Sequence, residues 1–191
     1  RRDVLTRRTL HELLRSVCGA VRRYAAAMPE RLAVIGGNPA GMSAASVAKR
    51  RDPDLDVVAF ERGPYTSYAA CGIPYFVGGR IATADDLVAR TPQRHRENGI
   101  DVRTRTEVIA VDVAARRLTV RDAQTRDEST EPFDRLLIAT GAYAPAPPIP
   151  GAEATAPART LDAADELKGE VRRTGSHAVV IGAGYIGLEM A

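Results

Sequence analysis

Cysteine is almost absent from this chain: its 191 residues contain only Cys18 and Cys71. Two thiols exclude a disulfide framework, and such sparse use fits a reducing compartment, so a cytoplasmic setting is expected. Histidine is equally scarce. His11, His95 and His177 are scattered with no ligand spacing, which gives a metal site no support; His95 reads as an exposed helix residue. No window approaches the ~18 uninterrupted apolar residues of a spanning helix, so no membrane span is expected. Arg1-Arg2-Asp3-Val4-Leu5 does not open a twin-arginine leader, because Glu12, Arg15, Arg22 and Arg23 interrupt what should be an apolar stretch.

Positive charge is lacking where a nucleic-acid surface would need it. Residues 1–27 hold seven arginines against Asp3 and Glu12, so the total of +3 leaves the remainder net negative. A nucleic-acid binder should carry its basic residues across the fold, and none is expected as a partner. The basic segment could form an amphipathic helix, with Thr9 and Glu12 as a capping box and Leu10, Leu13, Leu14, Val17 and Val21 on one stripe. It reads either as a membrane-surface or partner helix or as an extension upstream of a natural start at Met28. The second reading is preferred, because Met28-Pro29-Glu30-Arg31 leads straight into the first strand.

What is present is ordinary globular composition, 45% apolar and 27% charged. From Arg31 the pattern runs strand, glycine turn, helix to about Arg51, then Asp52-Pro53 as breaker and a strand Val57–Phe60 ending at Glu61. This is a βαβ unit. Thr91-Pro92 offers an N-cap and first helical position, and Gly99 closes that helix before a short strand at Asp101–Arg103. Strands are expected near Glu107–Asp112, Leu118–Arg121 and Phe133–Ala139, the first two as an antiparallel ribbon. Pro145, Pro147, Pro148 and Pro150 then form a stiff connection, which places a domain boundary there.

Two glycine turns carry the chemistry. Gly36-Gly37-Asn38-Pro39-Ala40-Gly41 follows the apolar run Leu32–Ile35 and opens the helix. Small residues there let backbone N–H groups approach a pyrophosphate at the positive helix end. Asn38 replaces the middle glycine of the strict pattern. Glu61, 20 residues past Gly41 at the end of the next strand, restores the match by offering a carboxylate to a ribose. Gly182-Ala183-Gly184-Tyr185-Ile186-Gly187 follows Val179–Ile181 and fits the full pattern. Its ribose-reading residue is expected beyond Ala191, so NADH and NADPH are not separated. Between the turns lies Cys71, in Ser67-Tyr68-Ala69-Ala70-Cys71-Gly72-Ile73-Pro74-Tyr75, with no second cysteine near it. Two nucleotide cradles around one thiol point to a flavin, a nicotinamide and a sulfur passing electrons in series.

Residues 31–191 resemble the N-terminal part of the flavoprotein pyridine nucleotide-disulfide oxidoreductases, in the single-cysteine branch of coenzyme A-disulfide reductases, NADH oxidases and NADH peroxidases. The likeness rests on the Gly36–Gly41 turn, Phe60-Glu61-Arg62-Gly63, Ser67–Tyr75, Leu136–Ala142 and Val180–Ala191. Dithiol members carry a second cysteine where Phe76 stands. The resemblance implies an α/β fold: a basic extension at 1–30, a Rossmann-like FAD-binding domain with an antiparallel β insertion at 31–148, and at 149–191 the truncated start of a second Rossmann-like, NAD(P)-binding domain. It implies FAD along Gly36–Gly41, Glu61 and Arg62, with the backbone of Val108 near the adenine and Ala139-Thr140-Gly141 closing the site. Gly182–Gly187 would hold the NAD(P) pyrophosphate, with Tyr185 gating the nicotinamide and Glu189 contacting it.

Within the branch, oxidases and peroxidases usually carry a histidine where this chain has Pro39, which holds no transferable proton. Coenzyme A-disulfide reductases lack that histidine and bind coenzyme A at positions that are here Ser43, Arg50 and Ser67. An asparagine beside the cysteine in some reductases is Ala70 here. The implied activity is an FAD-dependent NAD(P)H:disulfide reductase, using Cys71 on coenzyme A disulfide or a related persulfide, and a homodimer when full length. The alternatives are a Cys71 sulfenic acid cycle in an NADH oxidase or peroxidase, and a flavin-binding sensor or partner module in which Cys71 only packs. Lys49-Arg50-Arg51 has a second reading too, as a basic helix end complementing the macrodipole.

Overall fold

The computed structural model describes residues 29–174 and 178–191. The expected helix in residues 1–27, with Cys18, lies outside them. The chain divides into Arg1–Glu30 and Arg31–Ala191, and the second unit carries all the elements below.

A parallel sheet orders the unit. Strands β1 (Arg31–Ile35), β2 (Asp56–Phe60), β3 (Ile100–Arg103) and β7 (Arg135–Ile138) stand in the order β3-β2-β1-β7. All neighbours run parallel, with Val34 opposite both Ala59 and Leu137. Parallel strands covered on both faces need continuous apolar sequence rather than alternation, which Leu32-Ala33-Val34-Ile35 and Val57-Val58-Ala59-Phe60 supply. Odd and even positions enter different cores. Val34, Val57, Ala59, Ile100 and Val102 pack under helix α1 (Pro39–Arg51) through Met42 and Ala45. Ala33, Ile35, Val58 and Phe60 pack on the opposite side with Leu118, Val120 and Phe133.

That opposite layer is a second sheet of β4 (Thr106–Asp112), β5 (Arg117–Asp122) and β6 (Glu128–Pro132), antiparallel throughout, with a register shift between Val108 and Ala110. The expected two-stranded ribbon is therefore three-stranded. Glu128-Ser129-Thr130-Glu131-Pro132 has no apolar alternation, because the strand is an edge whose side chains are mostly exposed. Its Glu131 binds Arg31 and Arg103 at 3.1 and 2.6 Å, tying the edge to the parallel sheet. Phe133 precedes β7 and fills the space between the layers.

A third core forms around short helix α2 (Ile73–Val77). Ile73 and Phe76 pack with Tyr68, Leu87 and, from helix α4 (Leu161–Thr174), Leu161 and Ala164. Lys168 is 5% exposed; its Nζ lies 3.8 Å from the Phe76 ring centroid and donates to the carbonyls of Ile81 and Ala82. Helix α3 (Pro92–Glu97) begins with Thr91 accepting from the Arg94 N–H, as its sequence predicts. Helix α5 (Tyr185–Met190) follows the second glycine turn. Val179–Ile181, expected as a strand, pairs with none of the described strands and is exposed. A strand needs a neighbour to satisfy its backbone.

Candidate active site

The carboxyl ends of β1, β2 and β7 converge, the place where open α/β sheets bind nucleotides. There Gly36 donates to Phe60 O at 2.9 Å and Ala139 to Ile35 O at 2.8 Å. Gly36 turns at φ 113°, and a Cβ on it would meet Ala139 O, while one on Gly41 would meet Gly36 O. The chain can close this turn only without those side chains. Ala40 and Gly41 lie in the first turn of α1. The Glu61 carboxylate accepts from Gly37 N–H at 2.8 Å and Gly63 N–H at 2.9 Å, so it locks two loops while lone pairs remain for a ligand hydroxyl.

A cleft of about 510 Å³ opens over these groups. It brings together Gly36, Asn38, Pro39, Glu61, Arg62, Ala139, Thr140 and Gly141, all expected from the sequence. Tyr68, Arg126 and Arg159 also line it and were not singled out from the sequence: Tyr68 stands inside the Ser67–Tyr75 motif beside the more conspicuous Cys71, and the two arginines come from segments with no motif around them. Burial and the Glu61 charge raise the Tyr68 phenol above its usual range. Val108 is partly buried between the sheets; its neighbour Glu107 lines the cleft.

Cys71 is free and exposed in the 3₁₀ turn Ala70–Gly72, directly before α2, and Ala70 lines the cleft. Backbone bonds fix this segment against the one opposite: Ala69 donates to Leu87 O at 2.9 Å and Ala89 to Ser67 O at 3.0 Å. Phe76, at the position of a second cysteine in dithiol relatives, is 1% exposed and wholly in the core.

Ser67 is half-buried at φ 49°, a left-handed angle that costs a serine ~1–3 kcal/mol. Three contacts hold it there: its N–H to Gly37 O, its carbonyl to Ala89, and its Oγ 2.9 Å from His95 Nε2. His95 is 1% exposed, against the expectation of a surface residue. Helix α3 turns it inward, while Arg94 and Glu97 take the outer face as a salt bridge. Burial, with a smaller contribution from Arg90, lowers its pKa below the ordinary histidine value.

Ser43 is exposed on α1. Arg50, two turns further along, lines a second cleft of about 290 Å³ with Ser46, Lys49, Arg90 and Arg94. Lys49 donates to Pro53 O and Leu55 O, pinning the loop that follows its helix, so this member of the basic triplet is engaged locally. Gly182, Ala183, Gly184, Tyr185, Ile186 and Glu189 are exposed outside the first cleft. Their turn repeats the first: Gly182 has φ 114°, and a Cβ on Gly187 would meet Gly182 O. Among the described residues no group of three or more His, Cys, Asp or Glu side chains could hold a metal, and no helix is long and apolar enough to cross a membrane.

The family model described as pyridine nucleotide-disulphide oxidoreductase matches residues 30–191. The chain belongs to this family. Within it, the chain is 37% identical over 171 residues to the NAD(P)H coenzyme A polysulfide/persulfide reductase of Pyrococcus horikoshii, covering 86% of this chain and 37% of that protein. It is 34% identical over 165 residues to an NADH oxidase of Methanocaldococcus jannaschii, covering 84% of this chain and 37% of the relative. The crystal structure of reduced Bacillus anthracis CoADR-RHD superposes with a TM-score of 0.79 at 32% identity, covering 85% of this chain and 30% of that one. The chain thus spans little more than a third of these curated relatives.

Family membership implies a flavin and a nicotinamide nucleotide. The first cleft fits such a group. Its volume is that of a ligand pocket, its glycine turn has no room for Cβ atoms, and Asn38 Oδ1 is buried with no hydrogen-bond partner among the described residues.

Proposed function

We propose that this chain forms the cofactor- and thiol-bearing part of an FAD-dependent NAD(P)H:disulfide reductase that acts on coenzyme A disulfide or a related persulfide. The observation that carries it is the pairing of one exposed thiol, Cys71, with a core phenylalanine, Phe76, at the site of a second. A single thiol must hold half of its substrate as a mixed disulfide.

In this reading Gly36–Gly41, Glu61, Arg62 and Ala139–Gly141 hold FAD, Val108 flanks its adenine, and Gly182–Gly187 with Tyr185 and Glu189 receive NADH or NADPH. Bound FAD would supply two-electron transfer between the nicotinamide and the Cys71 sulfur. The Cys71 thiolate attacks one sulfur of the substrate. The S–S bond breaks, one coenzyme A leaves as thiolate and takes a proton, and the other remains joined to Cys71. Two electrons then cleave that mixed disulfide, releasing the second coenzyme A and restoring the thiolate. Ser43 and Ser67 offer hydroxyls to the substrate, and Arg50 offers a cation to its phosphates. The company of Arg90 and Arg94 around Arg50 supports that assignment.

The NADH oxidase relative favours a second reading, in which peroxide, added or formed from oxygen by two electrons of NAD(P)H, passes one oxygen to the Cys71 thiolate, giving sulfenic acid and water, and two further electrons restore the thiolate. Pro39 argues against it, since it lines the cleft without a proton to give. NAD(P)H consumption by the flavin-loaded protein that carries this chain separates the two. Dependence on coenzyme A disulfide supports the reductase; dependence on oxygen or peroxide overturns it.

A further inference from the structure

The hydrogen bond between Ser67 and His95 has a direction that the burial of His95 fixes. The imidazole Nδ1 is buried and meets no hydrogen-bond partner among the described residues, while Nε2 lies 2.9 Å from Ser67 Oγ. A neutral imidazole carries one N–H and one lone pair. A buried N–H without an acceptor costs more than an unused buried lone pair, so the proton belongs on Nε2 and Nδ1 keeps the lone pair. Nε2–H then donates to Ser67 Oγ. The Ser67 hydroxyl, saturated as an acceptor on that side, retains its own proton for another acceptor.

We propose that His95 is a positioning residue for the substrate, holding the Ser67 hydroxyl as a donor toward a carbonyl oxygen on the disulfide-bearing arm of a molecule bound at Cys71. Three features support it. Ser67 lies four residues before Cys71 in the segment clamped to residues 87–89. Its left-handed backbone is held by contacts that also fix its Oγ on His95. His95 is wholly interior yet spends its one donor on this hydroxyl, where a packing residue of similar size would need no polar atom. The role rests on the substrate reading above, because an amide-bearing thiol such as coenzyme A supplies the carbonyl.

Two measurements test it. In the flavin-loaded chain with ¹⁵N-labelled histidine, His95→Phe assigns the signal, which should show Nε2 protonated and Nδ1 bare; the opposite tautomer overturns the proposal. The second is the rate of mixed-disulfide formation at Cys71, followed by peptide mass, with coenzyme A disulfide and with glutathione disulfide. Their ratio separates recognition from thiol reactivity. His95→Phe should lower that ratio about tenfold, the scale of one lost hydrogen bond to substrate. Ser67→Ala should do the same, the double variant no more, and His95→Gln, which keeps a donor, should recover part. A wild-type ratio retained by His95→Phe while Ser67→Ala loses it overturns the positioning role alone. A ratio near one in the wild type overturns the substrate reading, and the positioning role falls with it.

Discussion

Gly36 and Gly182, far apart in sequence, hold the same left-handed backbone angle, φ 113° and 114°. In each turn the glycine's carbonyl oxygen occupies the space that a Cβ five residues later, on Gly41 or Gly187, would need. Gly41 is buried beside the core residues Val34 and Met42, whereas Gly187 is half-buried in a turn whose other residues are exposed.

Alanine at the two later positions should therefore separate. Gly41→Ala must push α1 off β1, an overpacking that costs on the order of 1–3 kcal/mol, and should lower both the melting temperature and flavin content. Gly187→Ala should leave both nearly unchanged and weaken NADH or NADPH binding. Equal melting of the two variants would contradict this division.

Glu61→Ala should reduce FAD retention more than Arg50→Ala does. Removing the carboxylate leaves the Gly37 and Gly63 N–H groups without their acceptor, at about 1–3 kcal/mol, and would also remove the proposed ribose partner. Arg50→Ala should instead raise the Michaelis constant for coenzyme A disulfide. Flavin absorbance and kinetics of both variants check it; unchanged kinetics for Arg50→Ala would leave that residue only its helix-end role.

Much of this site was legible because motifs fix local geometry. Gly36, Asn38 and Pro39 of the first glycine turn share one cleft with Glu61, a pairing that rests on their spacing, and with Ala139–Gly141, which the family resemblance alone implied. Strand β6 was not legible, since an exposed edge strand needs no apolar pattern. His95 differs for a related reason: between Arg94, Arg96 and Glu97 on a short helix it reads as solvated, and only the tertiary contact with Ser67 shows it turned inward. The docking of α4 through Lys168 depends likewise on a contact across 86 and 87 residues.

That docking is testable. Lys168→Met keeps the aliphatic stem but leaves the Ile81 and Ala82 carbonyls without their donor and removes the cation from the Phe76 face. It should cost about 1–3 kcal/mol by urea titration. Unchanged stability would mean that α4 contributes little to the core beneath Cys71.

His95 should make stability pH-dependent, with a definite sign. Its folded pKa lies below the ordinary value because burial, assisted by the nearby Arg90 charge, disfavours the cation. The unfolded chain therefore takes up the proton first as pH falls. The stability from keeping this ring neutral is fully present above about pH 6.5 and is lost as pH drops through the lower folded value. Between about pH 7.5 and about pH 5 the wild type should lose more stability than His95→Phe. Parallel curves would contradict the assignment.

The central claim is that Cys71 alone exchanges with the substrate disulfide. Its most direct test is NAD(P)H-dependent release of coenzyme A from coenzyme A disulfide by the flavin-loaded protein that carries this chain, compared with its Cys71→Ser variant. Serine preserves the side-chain size but cannot form the mixed disulfide. The account predicts that the variant keeps its flavin and its reduction by NAD(P)H, yet releases no coenzyme A and carries none bound at position 71. Substantial release by the serine variant would contradict the one-thiol mechanism.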